Sequence, residues 1–275
     1  MKQKMIDFIV DRVEFDPDNR IFDDEPYFTR PLVAIADAAD PLFSQYKTII
    51  GKFHRHPFDW LADLRPDNPP RSGSVICWVL PISEAVRKSN RAESTWPSRS
   101  WALTRQHGEA FNVGLRQKVV AFLQERGGLA VAPQLAPGWQ EVASPQSGAA
   151  SAWSERHAAY AAGLGTFSLN DGLITRCGIA HRLGSVVTDL KMEADVRPWP
   201  NHLHNCVYHR NGSCGVCIKR CPVKAISKDG HDKIRCMEYV YGTVVRCKGE
   251  EYGVHMTGCG LCQTGVPCEK GIPPG

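Results

Sequence analysis

The sequence predicts an α+β protein in which a part with interspersed helices and strands precedes a cysteine-rich part. Short apolar runs of strand type and longer segments with helical spacing occur along residues 1–195. Nine of the 11 cysteines fall in the last 70 residues. Residues 191–204 lie between these regions, contain two prolines and show no period. We therefore predict two domains, residues 1–195 and residues 196–275.

Periodicity and turn residues place the elements of the first domain. Residues 1–25 are predicted to contain an amphipathic helix followed by an acidic turn. The other predicted helices are residues 38–63, with a break near Pro57, residues 100–126 and residues 151–162. The predicted strands are residues 31–36, 74–80, 129–132, 173–175 and 183–188. Residues 65–73 and 133–150 are rich in Pro, Gly, Ser, Asp or Gln and are predicted to be loops.

The bulk properties indicate an ordinary globular protein, with 43% hydrophobic and 23% charged residues. The net charge of +4 is not concentrated in one Lys/Arg run, so the sequence does not indicate a nucleic-acid partner, although it does not exclude one. The N-terminus lacks the apolar core of a signal peptide, and no segment approaches the roughly 18 apolar residues of a membrane span. We expect a cytoplasmic protein without a membrane partner.

The cysteine spacing indicates a metal centre rather than disulfides, because a cytosolic chain with an odd cysteine count favours metal binding. Cys214-x2-Cys217-x3-Cys221-Pro222 has the form of a bacterial ferredoxin run without its first cysteine. In such a run, the cysteine before proline binds a second [4Fe–4S] cluster. Asn211 occupies the position of the missing cysteine, and Cys206, five residues upstream, can supply that ligand.

A second half-motif, Cys259-x2-Cys262-x5-Cys268, completes the pattern. If Cys268 returns to the first cluster and Cys221 serves the second, one ligand of the second cluster is missing. Spacing alone leaves two candidates for it, Cys236 and Cys247.

The alternative is one zinc ion held by the two C-x2-C pairs. This interpretation leaves Cys206, Cys221 and Cys268 without roles, and the C-x3-C-P ending is typical of ferredoxin runs. Cys77 and Cys177, outside the cysteine-rich region, are expected to be structural.

Several segments together resemble the epoxyqueuosine reductase and reductive dehalogenase superfamily. They are residues 153–169 (WSERHAAYAAGLGTFSL), 172–175 (GLIT), 182–188 (RLGSVVT), 221–226 (CPVKAI) and 233–239 (KIRCMEY). The resemblance implies a nitroreductase-like, cobalamin-binding α/β domain followed by a ferredoxin-like domain with two [4Fe–4S] clusters. It also implies the ligands, since Cys236 matches a family cysteine that binds the second cluster. The first cluster then takes Cys206, Cys214, Cys217 and Cys268, and the second takes Cys221, Cys236, Cys259 and Cys262. Cys247 is left without a role.

The function implied by the resemblance is that of an oxidoreductase. Single electrons would pass through both clusters to a corrinoid and then to an organic substrate, either a small molecule or a modified nucleoside. A low-potential flavodoxin or ferredoxin would donate the electrons, and basic residues near the cysteines would dock it. These are Lys219, Arg220, Lys224, Lys228, Lys233 and Arg235. The alternative is an electron-transfer iron–sulfur protein that binds no corrinoid and docks a partner.

Three departures from the superfamily affect the site. The aspartate that donates a proton in epoxyqueuosine reductases has no counterpart in residues 148–153, and residues 166–170 replace a Gly-Trp-x-Gly-Lys stretch. The helical-repeat domain that often follows the clusters is expected to be absent. The remaining candidate proton donors are Glu155, His157 and Tyr160. Gly163, Gly165 and Thr166 are candidate cofactor-binding residues, because glycines let a backbone approach a flat cofactor closely.

Overall fold

A computed structural model of the chain describes residues 1–21, 25–144 and 148–274. The helices are α1 (Lys2–Phe15), α2 (Pro41–Ile49), α3 (Pro57–Leu64), α4 (Glu84–Arg91), α5 (Arg99–Gln124), α6 (Glu155–Ala161), α7 (Val207–Asn211), α8 (Val216–Arg220), α9 (Lys233–Met237) and α10 (Val245–Tyr252). The strands are β1 (Leu32–Asp37), β2 (Ser74–Pro81), β3 (Ala130–Val131), β4 (Glu141–Ser144), β5 (Gly148–Ser151), β6 (Gly165–Phe167), β7 (Leu173–Thr175), β8 (His181–Thr188), β9 (Ile226–Ser227) and β10 (Gly230–His231). A π-helix, Glu238–Val244, joins α9 to α10, and 3-10 turns lie at Pro133–Leu135 and Leu261–Gln263.

An antiparallel sheet of order β1-β2-β8-β3 forms the centre of the first part. All eight residues of β2 are buried, because the strand has neighbours on both edges and apolar layers on both faces. One layer contains α1 and α5, with Ile9 and Leu115 among its buried side chains. The other contains α2, α3 and α6, with Phe43 and Trp60 in its core. This mixed α/β arrangement agrees with the predicted fold class.

The cysteine-rich part is attached to the first part by buried polar contacts. Arg91 of α4 bonds to Glu269 at 2.5 Å, and the Arg220 guanidinium donates to the carbonyl of Glu93 at 2.9 Å. The amide of Ile179 donates to the carbonyl of Cys268 at 2.9 Å. These contacts give the cysteine segments a fixed position against α4 and β8.

Several element predictions need correction. The predicted loop 133–150 contains the β4–β5 hairpin, and the predicted helix 38–63 is two helices separated by residues 50–56. The helix predicted from Ser151 begins at Glu155, because Ser151 ends β5. The acidic turn predicted after the first helix lies partly outside the described residues. None of the helices in the described ranges combines the length and apolar character needed to cross a bilayer.

Candidate functional site

Four cysteines from separate segments meet around a small cavity of about 30 Å³. We call Cys206, Cys214, Cys217 and Cys268 the first cysteine set. The thiol of Cys268 is close enough to the other three to interact with them electrostatically. Burial, reinforced by neighbouring thiols, raises the pKa of Cys217 to about 11 and that of Cys268 to about 12.

A second group of four lines a larger cavity of about 300 Å³, which we call the cysteine cavity. We call Cys221, Cys236, Cys259 and Cys262 the second cysteine set. Burial is the main cause that raises the pKa of Cys259 to about 12, and the nearby Cys236 and Cys221 thiols add to it. Cys262 interacts with the other three and also with Cys217 of the first set, so the two sets are neighbours.

Local backbone structure positions these sulfurs. Cys206 caps α7 at its N-terminal end, and Cys221 caps α8 at its C-terminal end. The amide of Ala225 donates to Sγ of Cys221 at 3.1 Å, and the amide of Leu261 bonds to the Cys259 sulfur. Amide donors of this kind stabilise thiolates that bind a metal.

The remaining cysteines lie apart from both sets. Cys247 of α10 is exposed and lines neither cavity. Cys77 is fully buried in β2, and Cys177 is half-buried. In the part of the chain that the structure describes, no three His, Cys, Asp or Glu side chains converge closely enough to hold one metal ion.

His231 connects the second cysteine set to the first part of the chain. Its Nδ1 lies 3.3 Å from a carboxylate oxygen of Asp171, and the ring also hydrogen-bonds with Cys236. Burial opposes protonation of the ring, but the bonds with Asp171 and Cys236 raise the pKa of His231 to about 9. The imidazole therefore fixes the position of the Cys236 side chain.

Glu155, the first residue of α6, projects into a separate polar cavity of about 310 Å³, which we call the Glu155 cavity. Its side chain is 14% exposed, and Oε2 accepts a hydrogen bond from the Ser185 hydroxyl at 2.5 Å. Oε1 lies 3.4 Å from the Arg116 guanidinium and has no hydrogen-bond partner among the described residues. Burial raises the pKa of Glu155, although Arg116 and Ser185 partly offset this effect.

Glu109 supplies the counter-charge for the basic wall of the Glu155 cavity. Its carboxylate bonds to Arg116 at 3.0 Å and also to Arg182. Burial alone would raise its pKa, but Arg182 and Arg116 lower the pKa of Glu109 to about 2. Glu109 is therefore ionised, and Arg116 is shared between Glu109 at 3.0 Å and Glu155 at 3.4 Å.

His157 and Tyr160 lie on a different face of α6 from Glu155. They line a cavity of about 750 Å³, which we call the aromatic cavity, together with Tyr46 and Phe167. The His157 ring is 4.8 Å from the rings of both Tyr46 and Phe167. Burial, followed by the charge of Arg156, lowers the pKa of His157 to about 3. The three candidate proton donors therefore do not form one site.

Gly163, Gly165 and Thr166, the residues predicted to bind a cofactor, make contacts within the chain that explain why glycine and threonine occur there. Gly163 has a φ of 78°, and a Cβ there would lie 2.7 Å from the carbonyl oxygen of Val196. A Cβ on Gly165 would lie 2.4 Å from the carbonyl oxygen of Ile174. Thr166 is fully buried, and its hydroxyl accepts a hydrogen bond from the Asn205 amide. The close approach that the glycines permit is thus made by the chain's own backbone.

The arginines that line these cavities were not among the site residues predicted from the sequence. Arg156 lines the cysteine, Glu155 and aromatic cavities, and Arg105 and Arg182 line the cysteine cavity. A sequence signal for some of them exists in α5. Arg105, Glu109, Asn112 and Arg116 follow helical spacing beside apolar positions, so they occupy one face of the helix. That face contacts β8 rather than solvent, as the bonds from Asn112 and Arg116 to the carbonyl of Leu183 show.

Comparisons with known proteins find similarity in sequence over part of the chain and similarity in fold over the whole chain. The chain is 34% identical over 116 residues to an epoxyqueuosine reductase of Lactococcus garvieae (strain Lg2). The matched segment is 40% of this chain and spans only 30% of that relative's length. No family model matches the sequence.

Solved structures extend the likeness to the whole chain. A crystal structure of selenomethionine-labelled epoxyqueuosine reductase matches with a TM-score of 0.52 at 18% identity, covering 100% of this chain and 67% of that one. A catabolic reductive dehalogenase matches with a TM-score of 0.48 at 16% identity, covering 98% of this chain and 37% of that one. The fold is that of the epoxyqueuosine reductase structure, and the 116-residue similarity is also to an epoxyqueuosine reductase, so both agree with the resemblance to epoxyqueuosine reductases that the motifs indicate.

Proposed function

We propose that this protein is a reductase in which two [4Fe–4S] clusters deliver single electrons to a corrinoid that reduces an organic substrate. The observation that carries the proposal is the division of eight cysteines into two neighbouring sets of four. In each set, one cysteine comes from the other half-motif: Cys268 in the first and Cys221 in the second. This is the crossover expected of paired ferredoxin runs.

The donor chemistry of both sets fits iron–sulfur clusters. Thiolate is the ligand that iron–sulfur clusters use, and the amide bonds to Cys221 and Cys259 suit bound thiolates. Because Cys262 and Cys217 are close enough to interact, electrons would cross between neighbouring clusters. Cluster potentials extend down to about −700 mV, which is low enough for demanding reductions.

The cleft around Arg156 fits a large cofactor in size and in its unused hydrogen-bonding groups. The cysteine, Glu155 and aromatic cavities all include Arg156 in their linings, so they adjoin at that residue, and we refer to the three together as the cleft. The indole N–H of Trp139 lines this cleft and has no hydrogen-bond partner in the described ranges. The Trp139 indole N–H would contact the amide side chains of a corrinoid. When bound, that cofactor supplies a metal centre that accepts electrons from the clusters and reduces the substrate.

Glu155 is the proton donor we assign among the three candidates. Reduction of an organic substrate consumes protons as well as electrons, and residues 148–153 contain no acid. Glu155 has a raised pKa, and its Oε1, which lies 3.4 Å from Arg116 and has no hydrogen-bond partner in the described ranges, is in a cavity that shares Arg156 and Arg182 with the cysteine cavity. Ser185 holds Oε2, so Oε1 is the atom that would carry the proton.

The basic surface near the clusters would receive an acidic, low-potential donor such as flavodoxin or ferredoxin. Lys219, Lys224, Lys228 and Arg235 are exposed. Arg220 is excluded from this role because its guanidinium is bonded to carbonyls of both parts of the chain. We propose a small molecule or a modified nucleoside as the substrate, with epoxyqueuosine as the first compound to assay.

The test is anaerobic purification of the full chain, with analysis of iron, sulfide and zinc and absorption spectra before and after addition of cobalamin. We expect about eight irons per chain and a spectral change when cobalamin is added. Zinc without iron would overturn the proposal. Eight irons without any response to cobalamin would instead favour the electron-transfer protein that lacks a corrinoid.

A further inference from the structure

The wall of the cysteine cavity carries three guanidinium groups. Arg105, Arg156 and Arg182 line it, and its described lining contains no aspartate or glutamate. The other polar groups of the wall are amides, hydroxyls, an indole, two histidines and the four thiols of the second cysteine set. Like charges that converge in a partly buried space need negative charge nearby, because burial penalises unpaired ions.

Only one of the three arginines has a carboxylate partner in the described ranges. Arg182 forms two hydrogen bonds with Glu109. Arg156 donates to the backbone carbonyl of Asp171 at 2.7 Å, and no carboxylate lies within ion-pair distance of it or of Arg105 in those ranges. Nη1 of Arg105 is buried without a hydrogen-bond partner in the same ranges. Burial is the main cause that lowers the pKa of Arg105, and the charge of the more distant Glu109 offsets it in part, whereas Arg156 is exposed.

Tyr241 lies among these arginines. Its hydroxyl hydrogen-bonds with Arg105 and is near enough to Arg156 and Arg182 to interact with both. Tyr241 belongs to the π-helix Glu238–Val244, a form of helix that frequently marks functional sites. The result is a set of N–H and O–H donors, with net positive charge, that faces one cavity.

We propose that Arg105 and Arg156, with Tyr241, bind an anionic oxygen group of the substrate, either a phosphate or a carboxylate. Guanidinium groups recognise such oxyanions through paired, charge-assisted hydrogen bonds. This inference rests on the proposed function, because the same cavity contains the second cysteine set and adjoins the Glu155 cavity through Arg156 and Arg182. An anion held there keeps the substrate beside the Glu155 cavity, from which the proton would come.

The competing explanation is that the arginines only balance the negative charge of a cluster held by the second cysteine set. The two explanations differ in a binding measurement. A site for substrate binds a free oxyanion when the cluster is already present, whereas charge balance for a cluster leaves no such affinity.

The experiment uses the anaerobically purified full chain with its clusters and no corrinoid. Inorganic phosphate and acetate are titrated separately by calorimetry at constant ionic strength, and iron content is measured first. We expect the wild type to bind at least one of them, and Arg105→Gln and Arg156→Gln each to weaken binding about tenfold or more. Arg246→Gln, on an exposed arginine outside the cavity, is the matched control and is expected to bind as the wild type does.

The outcomes separate the two proposals. Preference for phosphate or for acetate assigns the class of anion. The inference is overturned if the iron-loaded wild type binds neither, or if both variants keep full affinity while the cluster potential changes. If Arg105→Gln loses iron, Arg105→Lys retains the charge without the paired donors and is expected to bind more weakly than the wild type. Absence of iron from the wild type would instead contradict the proposed function.

Discussion

Gly260 lies directly against the indole ring of Trp101: a Cβ atom built on the glycine would lie 2.0 Å from Cε2 of the ring. Gly260 stands between Cys259 and Cys262 with a φ of 62°, and Trp101 is a buried residue of α5. The loop that carries two cysteines of the second set is therefore in direct contact with the longest helix of the first part.

Replacing Gly260 by alanine is expected to remove the cluster of the second set. A left-handed conformation costs a non-glycine residue roughly 1–2 kcal/mol, and here the methyl group also overlaps Trp101. Gly212 is the matched control, because its φ is 74° and nothing lies within 4 Å of its Cβ position. Iron analysis is expected to give about half the wild-type content for Gly260→Ala and full content for Gly212→Ala. Equal iron in the two variants would contradict the importance of this contact.

Cys236→Ala is expected to lose the second cluster and retain the first. Cys236 lines the cysteine cavity, whereas Cys247 is exposed on α10. Iron is therefore expected to fall from about eight to about four per chain in Cys236→Ala and to stay at about eight in Cys247→Ala. Retention of both clusters by Cys236→Ala would show that another residue completes the second set.

Replacing His231 by leucine is expected to make the potential of the second cluster more negative. The ring hydrogen-bonds with Cys236, and hydrogen bonds to cluster sulfurs stabilise the reduced, more negative state. The measurement is a redox titration followed by electron paramagnetic resonance, in which the first cluster serves as the internal reference. An unchanged difference between the two potentials would argue against this role of His231.

Glu155→Gln is expected to lower kcat by about 10²- to 10⁴-fold, the usual contribution of a positioned general acid. Because burial raises the pKa of Glu155, the wild-type rate should fall as pH rises through that pKa and the acid ionises. The variant should lack this limb of the pH–rate profile. Glu251→Gln, at a surface glutamate that is 60% exposed, is the control. A variant profile that keeps the same limb would assign the proton to another group.

Glu109→Gln is expected to destabilise the protein by about 3–5 kcal/mol, because Arg116 and Arg182 would lose a buried counter-charge. Glu84→Gln is the control, because the Glu84 side chain is 58% exposed in its ion pair with Arg87. This substitution should lower the free energy of unfolding by at most about 1 kcal/mol. The folded-state pKa of Glu109 is lowered to about 2 from 4.5, so its contribution is present above pH 4.5 and is lost as pH falls toward 2. Chemical denaturation at pH 7 and at pH 3 measures both effects, and equal destabilisation at the two pH values would contradict them.

Much of the first part could be predicted because its signals are local. Residues 31–36 and 74–80 are apolar runs of strand length, and β1 and β2 are found there. The β4–β5 hairpin was missed because Glu141–Ser144 and Gly148–Ser151 consist of small and polar residues without alternation. Tertiary contacts help to stabilise that hairpin, as the hydrogen bond from the Ser144 hydroxyl to the carbonyl of Ile50 at 3.1 Å illustrates.

The sequence predicts residues of the candidate site only where their spacing itself indicates metal binding, as it does for the cysteines. The two half-motifs predict six cluster ligands, and Cys206 and the family resemblance at Cys236 add two more, but no spacing rule indicates that Arg105 and Arg156 face the same cavity. These arginines come from α5 and α6 and are 51 positions apart in the sequence, and a charged residue on a helix usually faces solvent. Their convergence depends on how the cysteine-rich part is placed against the sheet.

The exchange of Cys221 and Cys268 between the two sets has a mechanical consequence. Bound clusters would tie residues 206–221 to residues 259–268 through two crosslinks that run in opposite directions between the same stretches of chain. Crosslinks of this kind restrict the unfolded chain, so each cluster would hold part of the framework that presents ligands to the other. Oxidative damage to either cluster would then expose the entire segment to proteolysis, and repair would have to rebuild both centres together.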